Sequence, residues 1–232
     1  MPLPGGPLAN RLLLLVYILD GSGSMAGSKI AALNHAIRES LAALSQAASQ
    51  NPNAAIQIIA VVFSSGARWL VSQPTALASF KWNDLQAGGS TDMGQALSMV
   101  AEQLQVSRIG TRALPPVLIC VSDGHPTDDA EAGLKAILNE PWGKKAVKIS
   151  IGIGADCDYD ILQKFMDNPE RSPLQANNAA DLVKYFVWAS TEAVKAVSQP
   201  ASQSRNAAAN ANVPLPIPPA PTTGTVSTSQ VW

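Results

Sequence analysis

Short, uncharged apolar runs separated by amphipathic segments most strongly constrain what this chain can fold into. The first run, LLLLVYIL at 12–19, is far shorter than the roughly 20 residues of a membrane-spanning helix, and Asp20 ends it. A short apolar run of this kind is typical of a strand that is buried on both faces of a sheet. Strands are predicted at 12–19, 55–63, 67–71, 117–121 and 146–153, with a short edge strand at 173–176.

Helical patterns lie between these runs. In the segment 29–48, apolar residues such as Ile30, Leu33 and Ile37 recur at the spacing that places them on one face of a helix. Further helices are predicted at 92–106, 128–139, 158–166 and 180–197.

The order of these elements defines a fold class. Strands that alternate with helices form a mostly parallel sheet covered on both faces. The tight connection Ser64-Ser65-Gly66 indicates a hairpin, which adds one antiparallel strand. We therefore predict an α/β, Rossmann-like fold: a doubly wound, mostly parallel six-stranded sheet with one antiparallel edge strand and helices on both faces. Ligands of such sheets bind beyond the carboxyl ends of the strands.

Composition divides the chain into three parts. Residues 1–10 are a Pro/Gly-rich lead-in, and residues 11–197 carry the alternating pattern of one domain. Residues 198–232 are rich in Pro, Ala, Ser and Thr, with Arg205 as their only charged residue. Such a segment buries too little apolar surface to offset the entropy lost on ordering. We expect a flexible tail, with ordering on a partner or on its own domain as the alternative.

Charge and the scarcity of histidine and cysteine exclude several classes of function. The net charge is −1, whereas a nucleic-acid-binding domain needs a basic face. Two histidines and two cysteines without zinc spacing exclude a zinc ribbon, so any metal must be held mainly by oxygen. The first apolar run also lacks the features of a signal peptide. We expect a cytoplasmic protein that binds neither nucleic acid nor membrane.

Oxygen-bearing side chains cluster where the predicted strands end. Asp20-Gly-Ser22-Gly-Ser24 directly follows the first strand, Thr91 belongs to a Gly-Gly-Ser-Thr loop, and Asp123 follows the central strand VLICVS. The carboxyl ends of parallel strands share one edge of the sheet, so these groups are expected to lie close together. Carboxylate and hydroxyl oxygens suit Mg²⁺, with Mn²⁺ and Ca²⁺ as alternatives.

These residues resemble the metal-ion-dependent adhesion site of von Willebrand factor A domains. The resemblance rests on Asp20, Ser22, Ser24, Thr91 and Asp123, and the strand–helix order is similar over about residues 10–197. The contexts DGSGSM, GGSTDMGQAL and SDGHPTDD are most similar to the bacterial TerY-like group associated with tellurite resistance and stress.

The resemblance implies binding and not catalysis. It implies that the hydroxyls of Ser22, Ser24 and Thr91 are Mg²⁺ ligands, while Asp20 and Asp123 bind the metal directly or through water. An Asp or Glu of a partner protein would fill the open position. The resemblance also implies PP2C-like phosphatases and Ser/Thr kinases as partners. The tail lies outside it.

Other interpretations explain fewer of the residues. GSGSMA at 21–26 also fits a dinucleotide-binding fingerprint, but no acidic residue lies between Glu39 and Asp84 to bind a ribose. Patterns for a phosphate-binding loop and a serine hydrolase each lack a required residue, so we expect no enzyme activity. A metal-independent scaffold that acts through its tail or helix faces is the alternative outside catalysis.

Polar residues next to the candidate site have simpler local explanations as well. Asp92 either supports the metal or begins the helix that follows it. Asp128 and Asp129 are predicted to start the next helix, with Thr127 as its N-cap.

Overall fold

The computed structural model describes residues 10–51, 54–198, 215–221 and 232. It contains a six-stranded sheet in the order β3-β2-β1-β4-β5-β6. Strand β3 runs antiparallel to β2, and every other pairing is parallel, which confirms the predicted fold class. The strands are β1 (Arg11–Asp20), β2 (Ala54–Ser64), β3 (Gly66–Ala76), β4 (Val117–Ser122), β5 (Val147–Ile153) and β6 (Leu174–Ala176).

Helices cover both faces of this sheet. Those longer than eight residues are α1 (Ser28–Ser49), α2 (Met93–Gln103), α4 (Ala130–Asn139) and α7 (Ala179–Ser198). The shorter ones are α3 (Val106–Ile109), α5 (Pro141–Lys145) and α6 (Tyr159–Met166), together with 3-10 turns at Gly23–Met25 and Leu77–Ser79. No helix in the described ranges is long and apolar enough to cross a membrane.

Strand β1 forms the centre of two cores, which explains its unbroken apolar sequence. Leu13, Leu15 and Tyr17 point into a core that α1 and α7 cover, while Leu14 and Val16 point into a second core covered by α2, α4 and α6. Successive side chains of a strand face opposite sides, so a strand buried on both faces is apolar at almost every position.

Most predicted element ends lie within two residues of the observed ones, the short helix α5 was not predicted, and two elements differ more strongly. Strand β3 continues to Ala76, five residues beyond the predicted end at 71. Its last residues, including Pro74, are exposed on the edge of the sheet, where strand residues need no apolar pattern. The predicted helix at 92–106 is two helices, because α2 ends at Gln103 and α3 begins at Val106.

Described residues of the tail contact the domain. Leu215 and Trp232 pack against the core under α1 and α7. The Trp232 indole N–H donates a hydrogen bond to Ser28 Oγ at 3.0 Å, and its backbone N–H donates to the Asn177 carbonyl at 3.0 Å. The tail residues 199–214 and 222–231 and the lead-in residues 1–9 lie outside the described residues, so the predicted domain boundaries and the predicted flexibility stay predictions.

Helices α2 and α4 approach each other through two glycines. A Cβ on Gly133 would lie 2.5 Å from the Gly94 carbonyl oxygen and 2.7 Å from the Leu97 Cβ. A Cβ on Gly94 would lie 2.2 Å from the Asp129 carbonyl oxygen. This contact fixes the starts of both helices, which carry the loops at Thr91 and Asp123.

Replacing Gly133 with alanine should therefore destabilise the domain. Alanine ordinarily stabilises a helix interior relative to glycine, but here overpacking should lower the free energy of unfolding by about 1–3 kcal/mol. Chemical denaturation measures the change. Gly88→Ala is the control, because a Cβ there meets nothing within 4 Å, and it should leave stability almost unchanged. A Gly133→Ala protein as stable as wild type would contradict this account of the α2–α4 contact.

Candidate metal centre

Parallel pairing of β1 with β4 brings two acidic residues to one edge of the sheet. The register pairs Leu19 with Val121, so Asp20 comes beside Ser122, and Asp123 follows by one residue. The Ser122 hydroxyl donates a 2.6 Å hydrogen bond to Asp20 Oδ2. Both aspartates are buried.

The loop after β1 connects these two acids through its serines. Asp20 Oδ1 accepts the Ser22 backbone N–H at 2.8 Å. The Oγ atoms of Ser22 and Ser24 lie 2.9 Å apart, and Ser24 Oγ donates to Asp123 Oδ1 at 2.7 Å. Gly21 allows the loop to lie against β2, because a Cβ there would be 2.7 Å from the Val62 side chain.

Thr91 reaches the same place from a different loop. Its backbone N–H donates to Thr127 Oγ1 at 2.9 Å, and its carbonyl accepts the Thr127 backbone N–H at 2.9 Å. A Cβ on Gly124 would lie 3.6 Å from Ser24 Oγ and 3.8 Å from Thr91 Oγ1. The two hydroxyls thus border one glycine. Within the described residues, Thr91 Oγ1 makes no hydrogen bond, so it is available to a ligand.

All five predicted site residues therefore lie at one edge of the sheet. Their donor set is two carboxylates and three hydroxyls, and no group of three or more His, Cys, Asp or Glu residues that could hold a metal occurs among the described residues. The residues present fit a hard cation, because two buried carboxylates and three hydroxyls are the oxygen donors that such cations prefer, and the Ser24 and Thr91 hydroxyls border the same glycine. That these residues bind a metal stays a prediction.

The electrostatics of this edge favour a cation. Burial raises the pKa of Asp20. Hydrogen bonds from Ser122 and Ser22 oppose that rise, while the charge of Asp123 adds to it. Two neighbouring buried carboxylates are costly unless positive charge compensates them. Lys29 supplies one such charge, since its Nζ lies 2.5 Å from Asp123 Oδ2.

Asp92 holds the surrounding loops together. Its carboxylate accepts Thr127 Oγ1 at 2.6 Å and the Gly66 backbone N–H at 2.6 Å, and makes no cap to α2. These two hydrogen bonds, that of Thr127 first, lower the pKa of Asp92. Asp92 is thus the N-cap residue of α2 by position, as one of its predicted roles requires, but its side chain does not cap the helix; that it supports a metal stays a prediction.

The predicted cap of α4 at Thr127 is wrong. The Thr127 hydroxyl is engaged by Asp92 and the Thr91 amide, while Asp129 is the N-cap and accepts the Ala132 N–H at 2.9 Å. Asp128 instead caps α2, accepting two of its backbone N–H groups at 2.8 Å each. Because this capping acts across 34 residues of sequence, no local pattern reveals it.

Two further residues of the site were missed by sequence reasoning. Ser122 hydrogen-bonds Asp20, and Lys29 pairs with Asp123. Ser122 could have been found from its place at the end of β4, next to Asp123. Lys29 has no such signal, because its partner lies 94 residues away.

Fold and site together define an α/β domain with an oxygen-rich cluster at the carboxyl edge of its sheet. The family model of the von Willebrand factor type A domain matches residues 15–186. This chain belongs to that family.

Several solved structures share the fold. A von Willebrand factor type A protein from Catenulispora acidiphila has a TM-score of 0.62 at 19% identity, covering 79% of this chain and 43% of that one. The ArnB paralog VWA2 from Sulfolobus acidocaldarius has a TM-score of 0.54 at 22% identity, covering 78% and 45%. Proximal thread matrix protein 1 from the mussel byssus, with a zinc-occupied MIDAS motif, has a TM-score of 0.61 at 14% identity, covering 80% and 48%.

At these identities the likeness shows the fold alone. The chain spans less than half the length of these three proteins. No curated protein matches this sequence.

The buried charge of Asp20 should cost the metal-free protein stability. A raised pKa in the folded state means that ionised Asp20 is disfavoured there, so the cost is present at neutral pH and is relieved as pH falls through that pKa. Asp20→Asn keeps the shape and removes the charge. In EDTA at pH 7, thermal unfolding should show this variant at least as stable as wild type, with the difference shrinking as pH falls.

The exposed Asp156 provides the matched control for that measurement. Asp156→Asn should unfold like wild type throughout the pH range. If Asp20→Asn were much less stable than wild type at every pH, the ionised Asp20 side chain would stabilise the metal-free fold, contrary to this prediction.

Proposed function

We propose that this domain is a metal-dependent protein-interaction module that binds Mg²⁺ through its five-oxygen edge. The observation that supports this most directly is the hydrogen-bonded chain from Asp20 through Ser22 and Ser24 to Asp123, with the free Thr91 hydroxyl beside it. When bound, Mg²⁺ would supply an electrophilic centre for an oxygen ligand. Asp20, Ser22, Ser24, Thr91 and Asp123 would hold it.

Mg²⁺ is proposed over zinc because of the donor atoms. Zinc favours sulfur and nitrogen ligands, whereas this edge offers hydroxyl and carboxylate oxygens. Cys157 lies beside the site, where it is buried and donates its S–H to the Ser122 carbonyl at 3.3 Å. Burial raises the pKa of the Cys157 thiol to about 12, so it is not a thiolate ligand at neutral pH. Mn²⁺ and Ca²⁺ share the oxygen preference and remain alternatives.

The ligand proposed for the open metal position is an Asp or Glu side chain of another protein. Neutral hydroxyls donate no charge to the metal, so it keeps a strong attraction for an external carboxylate. Among the described residues, the hydrogen bonds of the site serines go to carboxylates, to backbone groups and to each other, and His125 contacts Asp158 at 3.2 Å, so no site serine is hydrogen-bonded to a histidine. The role proposed is accordingly binding without catalysis.

We also propose the biological system in which this domain acts and the class of its partners. The motif contexts around the five residues suggest a cytoplasmic, bacterial, TerY-like stress or tellurite-resistance system. PP2C-like phosphatases and Ser/Thr kinases are the partners to test first. This part of the proposal rests on sequence likeness around the motifs.

A scaffold role for the tail is the second candidate. The Trp232 indole N–H donates a hydrogen bond to Ser28, the residue before Lys29. Because Lys29 pairs with Asp123, this tail residue lies beside the candidate metal edge. A partner that docks at the edge would therefore meet the tail as well. The contributions of the tail and of the metal to partner binding can be measured separately, because the tail can be deleted without changing the five site residues.

Metal binding should depend on the oxygen donors one by one. Isothermal titration with Mg²⁺ should detect binding to wild type, no binding to Asp20→Ala, and for Thr91→Ala a loss of at least about tenfold, or about 1.4 kcal/mol. Thr111→Ala is the matched control, because Thr111 is exposed just before β4, at the opposite edge. Equal affinity in all four proteins would contradict the metal site.

Capture of partners should require the metal. Affinity purification from the host, with and without EDTA, is expected to lose the specific partners when EDTA is present, because their carboxylate would bind the metal. The same experiment with residues 198–232 deleted should retain them. Partners that resist EDTA and disappear with the tail would favour the scaffold role instead.

A further inference from the structure

Lys29 occupies an unusual position for a lysine. It is the second residue of α1, where the positive end of the helix dipole disfavours a cation. Its Nζ lies 2.5 Å from Asp123 Oδ2, and the Asp123 side chain has no exposed surface. The other Asp123 oxygen accepts Ser24 Oγ at 2.7 Å. Both oxygens of this carboxylate thus have partners without any metal.

In the other ion pairs of the described residues, the acidic side chain is at least 27% exposed. In the pairs Arg38–Asp84 and Lys164–Glu131, both side chains are 48% or more exposed. Exposed pairs of this kind contribute little to stability. The Lys29–Asp123 pair differs because its acid is wholly buried and belongs to the five proposed metal ligands.

We propose that Lys29 is a tethered cation that competes with the metal for Asp123. In the metal-free site its ammonium group neutralises the buried carboxylate. A divalent cation that binds the five oxygens neutralises Asp123 instead. It repels the Lys29 ammonium, which then moves away from Asp123 into solvent. This inference rests on the proposed function, because it concerns the same site.

The geometry permits this exchange. The Lys29 side chain is 23% exposed, so its head can move outward without crossing the core. A lysine ammonium is a compact point charge on a flexible four-carbon stem, and it has no fixed geometry to lose. The consequence is a site that stays folded without metal and has a lower metal affinity than its oxygens alone would give.

Neutralising Lys29 should move two measurements in opposite directions. Lys29→Met leaves Asp123 buried without its cation, so the melting temperature in EDTA should fall. The same variant should bind Mg²⁺ more tightly than wild type, by about tenfold or 1.4 kcal/mol in isothermal titration. Its melting temperature should also rise more on adding Mg²⁺. A merely structural lysine would not tighten metal binding when removed.

Three further variants complete the experiment. Lys144→Met removes a charge from an exposed lysine in α5, and should leave Mg²⁺ affinity unchanged. Lys29→Arg keeps a competing cation and should resemble wild type. Lys29→Gln removes the charge but keeps a hydrogen-bond donor, and should also bind Mg²⁺ more tightly, which covers the case that Lys29→Met folds poorly.

The outcomes distinguish this inference from the function on which it rests. If wild type binds Mg²⁺ and both neutral variants bind it equally or more weakly, competition by Lys29 is overturned and the metal site stands. If wild type fails to bind but the neutral variants bind, competition by Lys29 is supported, and the proposed metal dependence of the wild-type protein is overturned. If none of these proteins binds Mg²⁺ or Mn²⁺, the metal site is wrong and the competition falls with it.

Discussion

Parallel pairing of β1 with β4 at the centre of the sheet is the constraint on which the rest of this structure depends. It brings Asp20 beside Ser122 and sets Asp123 one residue further on, so two carboxylates lie buried at one edge. Buried acids need hydrogen bonds and compensating charge. The serine loop, the Ser122 hydroxyl and the Lys29 ammonium meet that need. The loops around Thr91 and Thr127 are in turn held by Asp92 and Asp128, which accept hydrogen bonds between the starts of α2 and α4.

How far sequence alone predicts this molecule depends on the range of the interactions involved. The run at 12–19 predicts a strand buried on both faces, because such burial requires an unbroken series of apolar residues in the sequence. The structure confirms this strand. The five oxygen residues could be assembled because each adjoins a strand end, and strand ends of a parallel sheet meet. By contrast, the pairing of Lys29 with Asp123 and the capping of α2 by Asp128 join segments distant in sequence. Such contacts depend on how helices pack, which no local pattern encodes. The exposed end of β3 was missed for a different reason, since an edge strand needs no apolar alternation.

Fold and site carry different kinds of support. The family match and the likeness to solved structures establish the von Willebrand factor A architecture, but at 14–22% identity they say nothing about which side chains bind a metal here. One fold supports many functions, so metal binding can be inferred only from the chemistry of the site. That chemistry consists of two buried carboxylates and three hydroxyls, with the Ser24 and Thr91 hydroxyls bordering Gly124. The tail residues that contact the domain lie outside the matched region, so their role is a separate question from that of the site.

The charge balance of the site suggests why capture of an acidic partner would depend on metal. Without metal, Asp20 and Asp123 together with Lys29 carry a local charge of −1 when ionised. An approaching carboxylate would then be repelled, because charges near a surface interact appreciably at short range. A bound divalent cation changes the local charge to +1, even if the Lys29 ammonium stays close by. The sign of the local charge therefore reverses on loading, and a lysine displaced from Asp123 but still tethered to α1 would add its charge to the attraction. Lys29 would thus lower affinity for the metal while making the loaded site net positive.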